Sequence, residues 1–236
     1  MVVYAKELVV CVWGGVGSTT LLRALSHVRK TNSPDDEDGI KHSLCPPLAF
    51  RCSDRFRALF MIGDPFEVVL SLFRRKLQYG QWQKVTSMAG KREGVFVRQQ
   101  ESLDSVLQRG VDPFFLRKQL ENWTNPDLIG YPVKVVKYSD LFSEEESIRE
   151  FLGVDEGFKE LGIVKKERLS SLRLLGESEQ TLLEEVYGDL RVEVEALPRS
   201  HVILPGSACW GNRSLLRKAF WKSGASQIAN LYFARD

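Results

Sequence analysis

The chain has 236 residues, of which 43% are hydrophobic, and it is long enough to bury one sizeable core without disulfides or metals. Its formal net charge of +2 gives no global field that would favour nucleic acid or a membrane, so any anion site must be local. The four cysteines show no CxxC spacing, and no signal-peptide or transmembrane pattern is present, which predicts a single cytoplasmic domain over 1–236 with reduced thiols.

The first predicted elements are a strand over Leu8–Trp13 and an amphipathic helix over Ser18–Lys30, joined by a glycine-rich turn. The N–H groups of such a turn and the positive end of the helix dipole form a cradle for phosphate oxygens, and Ser18–Thr20 adds hydroxyl donors. A Walker-type P-loop places a lysine directly after its last glycine, but here a serine follows Gly17. The turn therefore predicts an anion site and disfavours a triphosphate-hydrolysing enzyme.

The next stretch, Thr31–Gly39, reads TNSPDDEDG, and its acidic, turn-forming composition predicts an exposed loop. A second buried strand is predicted over Arg57–Ile62. Gly63-Asp64-Pro65 ends that strand, and the apolar spacing beyond it predicts a helix over Asp64–Lys76 with the proline in its first turn. These elements form a second β-loop-α unit.

Beyond this helix the pattern weakens over Tyr79–Asp112, which indicates a mobile loop or a lid over an acceptor site. The later predictions again alternate helices with a strand: a helix over Phe114–Trp123, a buried strand over Val133–Tyr138, a helix that a Ser143-x-x-Glu146 capping box opens and Leu152-Gly153 ends, and a helix from about Glu179 to Leu197. No element is predicted in the tail, Pro198–Asp236.

The alternation of strands with helices predicts an α/β fold of three layers, α/β/α, with a central, mainly parallel sheet of the P-loop nucleotide-binding type. Ligands of such folds bind at the carboxyl ends of the strands. We therefore expect the Gly14–Thr20 turn, Gly63-Asp64 and Tyr138 to border a single crevice.

Four segments, in this order, resemble motifs of the sulfotransferases that use 3′-phosphoadenosine 5′-phosphosulfate (PAPS). They are Gly15-Val16-Gly17-Ser18-Thr19-Thr20, similar to the 5′-phosphosulfate loop K-x-G-[ST]-[ST]-x; Ile40-Lys41-His42, similar to the short strand that ends in the acceptor-activating histidine; Ile62 to Ser71, similar to the 3′-phosphate motif; and Val135 to Leu141 with Phe151-Leu152-Gly153, similar to the Y-x-D-L segment and the F-[LV]-G after it. Their order and spacing carry the resemblance, which covers roughly the first two thirds of the chain.

The resemblance implies transfer of a sulfuryl group from PAPS to a hydroxyl or amine acceptor, with 3′-phosphoadenosine 5′-phosphate (PAP) as product and no metal required. His42 is implied as the catalytic base. The implied cofactor-binding residues are Gly15, Val16, Gly17, Ser18, Thr19 and Thr20 at the phosphosulfate, Ser71 and Arg213 at the 3′-phosphate, and Tyr138 at the adenine. The implied partners are the nucleotide and an unidentified acceptor, with neither nucleic acid nor a membrane.

The chain departs from the family at two charged positions. Gly15 stands where the family has its loop lysine, and Gly63 stands where it has the 3′-phosphate arginine. Basic residues that could replace them are Lys41, Arg74, Arg75 and Arg213. Two other hypotheses stay open: a catalytically degenerate nucleotide-binding module of the same fold, and a kinase-like or dinucleotide-binding protein in which Asp64 would be a metal ligand.

Overall fold

A computed structural model describes residues 6–14, 17–47, 56–89, 96–164 and 171–206. Its sheet has four strands in the order β1-β2-β3-β4. Their bounds are Leu8–Val12 for β1, Arg57–Ile62 for β2, Val133–Lys137 for β3 and Ser200–Ile203 for β4. The first three strands are parallel and β4 is antiparallel to β3, so the protein belongs to the α/β class with a mostly parallel sheet.

β1 and β2 are almost continuous apolar runs because both faces of the sheet are covered, whereas β3 reads VKVVK and buries Lys134 together with its three valines. All five residues of β1 are buried, and so are five of the six residues of β2. Parallel sheets are found almost only where both faces are covered, which is why the three runs could be assigned as strands from their composition. Their pairing aligns Val10 with Leu59 and Phe60 with Val135 at the centre of the core.

Seven helices occur in the described part of the chain. Their bounds are Ser18–Ser26 for α1, Pro65–Arg74 for α2, Gln78–Ala89 for α3, Leu103–Leu107 for α4, Leu116–Thr124 for α5, Glu145–Leu152 for α6 and Glu177–Ala196 for α7. Two short 3₁₀ helices cover Tyr138–Asp140 and Ser171–Leu174. No helix of these described ranges is long and apolar enough to cross a membrane.

The expectation of an irregular loop is corrected for the described parts of 79–112, which contain most of α3 and all of α4; a lid over an acceptor site remains a prediction. The inner face of α3 carries amide side chains: Gln78 and Gln81 are only 5% and 6% exposed, beside the buried Val85. A polar buried face does not produce the apolar spacing by which amphipathic helices are predicted. The weak hydrophobic pattern of this segment therefore did not indicate α3, although the helix is packed against the protein.

Three other expectations are also corrected. Ser143 does not form a capping box, because its hydroxyl donates to the Asp140 carbonyl at 3.0 Å and α6 begins at Glu145. Tyr138 lies in a 3₁₀ turn directly after β3 rather than in the strand. The fourth strand, β4, falls in the tail where no element was predicted. The end of α6 is confirmed, since Gly153 has a left-handed φ of 63°.

The acidic loop between α1 and β2 is not exposed throughout, because it covers the outer edge of β1. Three β1 amides donate to it: Leu8 to the Lys30 carbonyl at 3.3 Å, Val10 to Asn32 Oδ1 at 2.8 Å and Val12 to the Lys41 carbonyl at 2.8 Å. Asn32 also donates to the Val10 carbonyl at 3.0 Å and is 1% exposed. A side-chain amide thus supplies the hydrogen bonds that a neighbouring strand would make. The loop is thereby held in place up to Lys41 and His42.

Candidate functional site

The start of α1 has the properties of an anion-binding helix end. Gly17 is the N-cap and has a left-handed φ of 72°, a conformation that favours glycine. Among the described residues no side chain caps this helix, and its own first turn holds no acidic residue that could use its first N–H groups. Ser18 is buried and Thr19 is half-buried at this end. Gly15 and Val16 lie outside the described residues.

A pocket of about 250 Å³ opens at this helix end. It lies between the start of α1, the end of the acidic loop, the last turn of α2 and the first half of α3. Its polar lining residues are Ser18, Thr19, Asp35, Asp36, Lys41, His42, Arg75, Gln81 and Lys84. The structure thus brings Gly17, Ser18, Thr19 and His42, four of the predicted site residues, to one pocket. We call it the α1 pocket.

Lys41 is the buried cation of the α1 pocket. Its Nζ donates to Thr19 Oγ1 at 2.7 Å and to the Pro34 carbonyl at 2.7 Å, and the residue is 7% exposed. Burial lowers the pKa of the Lys41 ammonium, and the negative charge of Asp36 opposes that change. An ammonium in this position can bind an oxyanion held at the N–H groups of α1, because it already touches the hydroxyl of the first turn.

His42 lies beside Lys41 with its tautomer set by a backbone contact. Its Nδ1 is 3.0 Å from the Val12 carbonyl, and a carbonyl can only accept, so Nδ1 carries the proton and Nε2 carries the lone pair. Burial lowers the pKa of His42 to about 4, with Asp36 opposing the change. The imidazole is therefore neutral at pH 7 and can accept a proton at Nε2.

Helix α5 fixes the chain directly after His42. The Ser43 carbonyl accepts from Gln119 Nε2 at 2.7 Å and from Trp123 Nε1 at 3.0 Å, and the next carbonyl, of Leu44, accepts from Asn122 Nδ2 at 3.1 Å. Because all three donors are buried side chains of one helix, the position of His42 is determined by the core. Such support holds a reactive group in a fixed geometry.

Two side chains of α3 complete the α1 pocket, and neither was predicted from the sequence. Gln81 is 6% exposed, and its Nε2 has no hydrogen-bond partner among the described residues. Lys84 Nζ lies 2.6 Å from Asp36 Oδ2, so it joins α3 to the acidic loop. Their place in the pocket lining depends on a helix that the hydrophobic pattern did not indicate.

Three other predicted site residues are described by the structure, and they lie outside the lining of the α1 pocket. Thr20 is exposed on α1, Ser71 is buried within α2 and Tyr138 lies in the 3₁₀ turn after β3. Arg213 is outside the described residues. Of the candidate replacement cations, Lys41 and Arg75 line the α1 pocket.

The start of α2 differs from the start of α1 because it is already occupied by a carboxylate. Asp64 Oδ1 accepts from the N–H of Phe66 at 2.8 Å and of Glu67 at 3.4 Å, while its Oδ2 pairs with Arg191 Nε at 3.0 Å. Arg191, a residue of α7 that the sequence did not indicate, therefore places a guanidinium next to Gly63-Asp64. These bonds use Asp64 structurally and leave it poorly suited to bind a metal.

In comparisons with known proteins, no family model, curated protein or solved structure matches this chain. Within the described ranges, no group of three or more His, Cys, Asp or Glu side chains is arranged to hold a metal ion.

Proposed function

We propose that this protein is a sulfotransferase that moves a sulfuryl group from PAPS to a hydroxyl or amine acceptor. The phosphosulfate would bind in the α1 pocket, at the N–H groups of the first turn of α1. The observation that carries this proposal is the 2.7 Å contact between the buried Lys41 ammonium and Thr19 Oγ1, which brings a cation to a helix end that carries no acid of its own.

Lys41 takes the role of the family's loop lysine, whose position is occupied by Gly15 in this chain. During transfer, negative charge develops on the oxygen that bridges sulfur and phosphorus as the S–O bond breaks. A preorganised cation at that oxygen lowers the barrier, and removal of one such donor typically costs about a hundredfold to a thousandfold in rate. Because Lys41 is 7% exposed, little water screens its charge.

His42 acts as the base toward the acceptor. The acceptor hydroxyl gives its proton to Nε2, its oxygen forms a bond to sulfur, and the bridging S–O bond breaks to release PAP. Nδ1 donates its proton to the Val12 carbonyl oxygen, 3.0 Å away, and this bond keeps Nε2 available to accept. Since the pKa of His42 is about 4, we expect the acid limb of kcat/KM to fall near pH 4 rather than near the ordinary value of 6.5.

The size of the α1 pocket suits one end of the cofactor. Its volume of about 250 Å³ is below the range of about 300–1,000 Å³ that is usual for whole small-molecule sites. In this proposal the phosphosulfate would occupy this space, and the adenosine would extend beyond it. Ser71, Tyr138 and Arg213 remain predicted contacts for that outer part.

A thermal-shift titration with PAP, followed by incubation with sulfur-labelled PAPS and a panel of hydroxyl and amine acceptors, tests the proposal. PAP at about 100 times its Kd should add about 2.7 kcal/mol to the free energy of unfolding. The proposal also requires transfer of label, and that transfer should fall strongly in Lys41→Met and His42→Asn. Absence of any shift at millimolar PAP contradicts it.

The same assay separates the alternatives. PAP binding without transfer to any acceptor supports the degenerate binding module. Magnesium-dependent ATP binding supports the kinase-like protein, which the pairing of Asp64 with Arg191 and with the amides of α2 disfavours.

A further inference from the structure

We propose that Gln81 is a ligand-binding residue of the α1 pocket, whose side-chain amide donates a hydrogen bond to an oxygen of the bound oxyanion. The inference rests on the proposed function in one respect, since it adds a residue of α3 to the site where the phosphosulfate would bind. Its independent evidence is an unused donor in the interior of the protein.

The first observation is the burial of that donor. Gln81 is 6% exposed, and its Nε2 is fully buried without a hydrogen-bond partner among the described residues. Buried polar groups of native proteins are almost always paired, because an unpaired donor loses its bonds to water and gains nothing in exchange. A donor left unpaired in a pocket is explained if a ligand supplies its partner.

The second observation is the position of the amide. The backbone N–H of Gln81 donates to the Leu77 carbonyl at 2.9 Å, which fixes the residue in the first turn of α3. From there its side chain reaches the end of β1. There it packs on Gly14: a Cβ on that glycine would stand 3.0 Å from both Cδ and Oε1 of Gln81. Because Gly14 is three residues before Gly17, the amide lies beside the turn that leads into α1.

The third observation is the charge of the surroundings. Lys41 and the first N–H groups of α1 are donors on the other sides of the pocket. Its two carboxylates are already engaged, since Asp36 lies 2.6 Å from Lys84 Nζ and Asp35 lies 3.0 Å from Arg23. Donors that converge from three elements fit a group with several acceptor oxygens, which is the chemistry of a phosphosulfate or a diphosphate.

The test compares Gln81→Met with Gln83→Met. Methionine keeps the length of Gln81 and removes its donor, while Gln83 is an exposed residue of the same helix whose amide bonds to Tyr79 Oη at 2.9 Å. Calorimetry would measure binding of PAP and of inorganic pyrophosphate to each full-length variant, and denaturant unfolding would measure stability without ligand.

We expect Gln81→Met to bind both ligands about tenfold more weakly, or weaker still, and to be as stable as the wild type or more stable without ligand. Loss of an unpaired donor should not weaken the fold, whereas loss of a structural contact would. Gln83→Met should bind within about twofold of the wild type. Wild-type affinity in Gln81→Met, or lower ligand-free stability in that variant, overturns the inference.

The two ligands separate this inference from the proposed function. A wild-type protein that binds pyrophosphate through Gln81 and does not bind PAP supports the role of Gln81 and contradicts the sulfotransferase. Equal PAP binding by wild type and Gln81→Met supports the cofactor and overturns the role of Gln81. A wild type that binds neither ligand overturns both.

Discussion

Two cavities of similar size lie at opposite ends of the sheet, and both contain basic side chains. The α1 pocket, of about 250 Å³, lies beyond the end of β1. The second cavity, of about 240 Å³, lies at the starts of β1 and β2 and is lined by Glu7, Leu8, Arg29, Arg57 and Glu150–Gly153; we call it the strand-start cavity. Neither their volumes nor the mere presence of basic side chains distinguishes the two cavities.

Their hydrogen bonds do distinguish them. In the strand-start cavity, Arg29 donates to the Gly153 carbonyl and lies 3.8 Å from Glu7, so its charge is already used at the negative end of α6. The α1 pocket presents the positive end of a helix, the buried ammonium of Lys41 and the Gln81 amide donor, which has no partner within the described ranges. An anion site is identified by donors that await an acceptor rather than by the number of cations around a space.

The largest expected difference between the cavities is the response to loss of one cation from each. Lys41→Met keeps the apolar stem and removes the charge that contacts Thr19, so we expect PAP affinity to fall about a hundredfold. Arg29→Met, the matched change in the strand-start cavity, should leave PAP affinity within about twofold. Calorimetric titration measures both values, and equal losses in the two variants would remove the distinction.

The next effect is on stability against pH and concerns His42. Its pKa is about 4 in the folded protein and near 6.5 when unfolded, so between these values the unfolded state binds more protons and stability falls as the pH falls. From about pH 7.5 to about pH 5, the free energy of unfolding of the wild type should fall by about 2 kcal/mol more than that of His42→Asn. The asparagine has no proton to gain at this position, but its side chain can still donate to the Val12 carbonyl.

Urea unfolding at the two pH values checks this effect. His27→Asn, a change at an exposed residue after α1, is the control for removal of a histidine. Its free energy of unfolding should fall between the two pH values by as much as that of the wild type. Parallel pH dependence in the wild type and His42→Asn would show that His42 is not held in the neutral form.

The smallest effect on stability is expected at two glycines, Gly14 and Gly80, which differ in how closely other atoms surround them. A Cβ on Gly14 would stand 3.0 Å from side-chain atoms of Gln81 and Leu72, so Gly14→Ala should cost about 1 kcal/mol of stability and weaken PAP binding by displacing Gln81. Gly80 is within α3 with nothing within 4 Å of such a Cβ, so Gly80→Ala should stabilise the protein by about 0.5–1 kcal/mol. Changes in the free energy of unfolding that have the same sign in both variants would contradict this description of the packing.

The three parallel strands and α2 could be predicted because single segments carry their signals. An apolar run such as Arg57–Ile62 is complete in itself, and Pro65 indicates where the following helix begins. The acidic loop could not be predicted in full, because its composition indicates exposure, whereas Asn32 is buried as a hydrogen-bonding partner of β1.

The sequence indicated that the start of α1 and His42 could lie together, but it did not indicate which cation and which amide lie beside them in the α1 pocket. Lys41 was one of four basic candidates, and its contact with Thr19 joins residues that are 22 apart in the chain. Gln81 gave no signal, since an amide on a weakly amphipathic helix is typical of a surface. Such contacts arise from the packing of separate elements, which no local pattern records.

The most direct measurement is a titration of ¹⁵N-labelled protein with PAP, followed by NMR of the assigned backbone amides. If the α1 pocket binds the oxyanion end of the nucleotide, the signals of Gly17, Ser18 and Thr19 will shift together in a saturable manner, and those of Leu152 and Gly153 at the strand-start cavity will not. Unchanged signals at the start of α1 with millimolar PAP, or shifts confined to the strand-start cavity, would contradict the account.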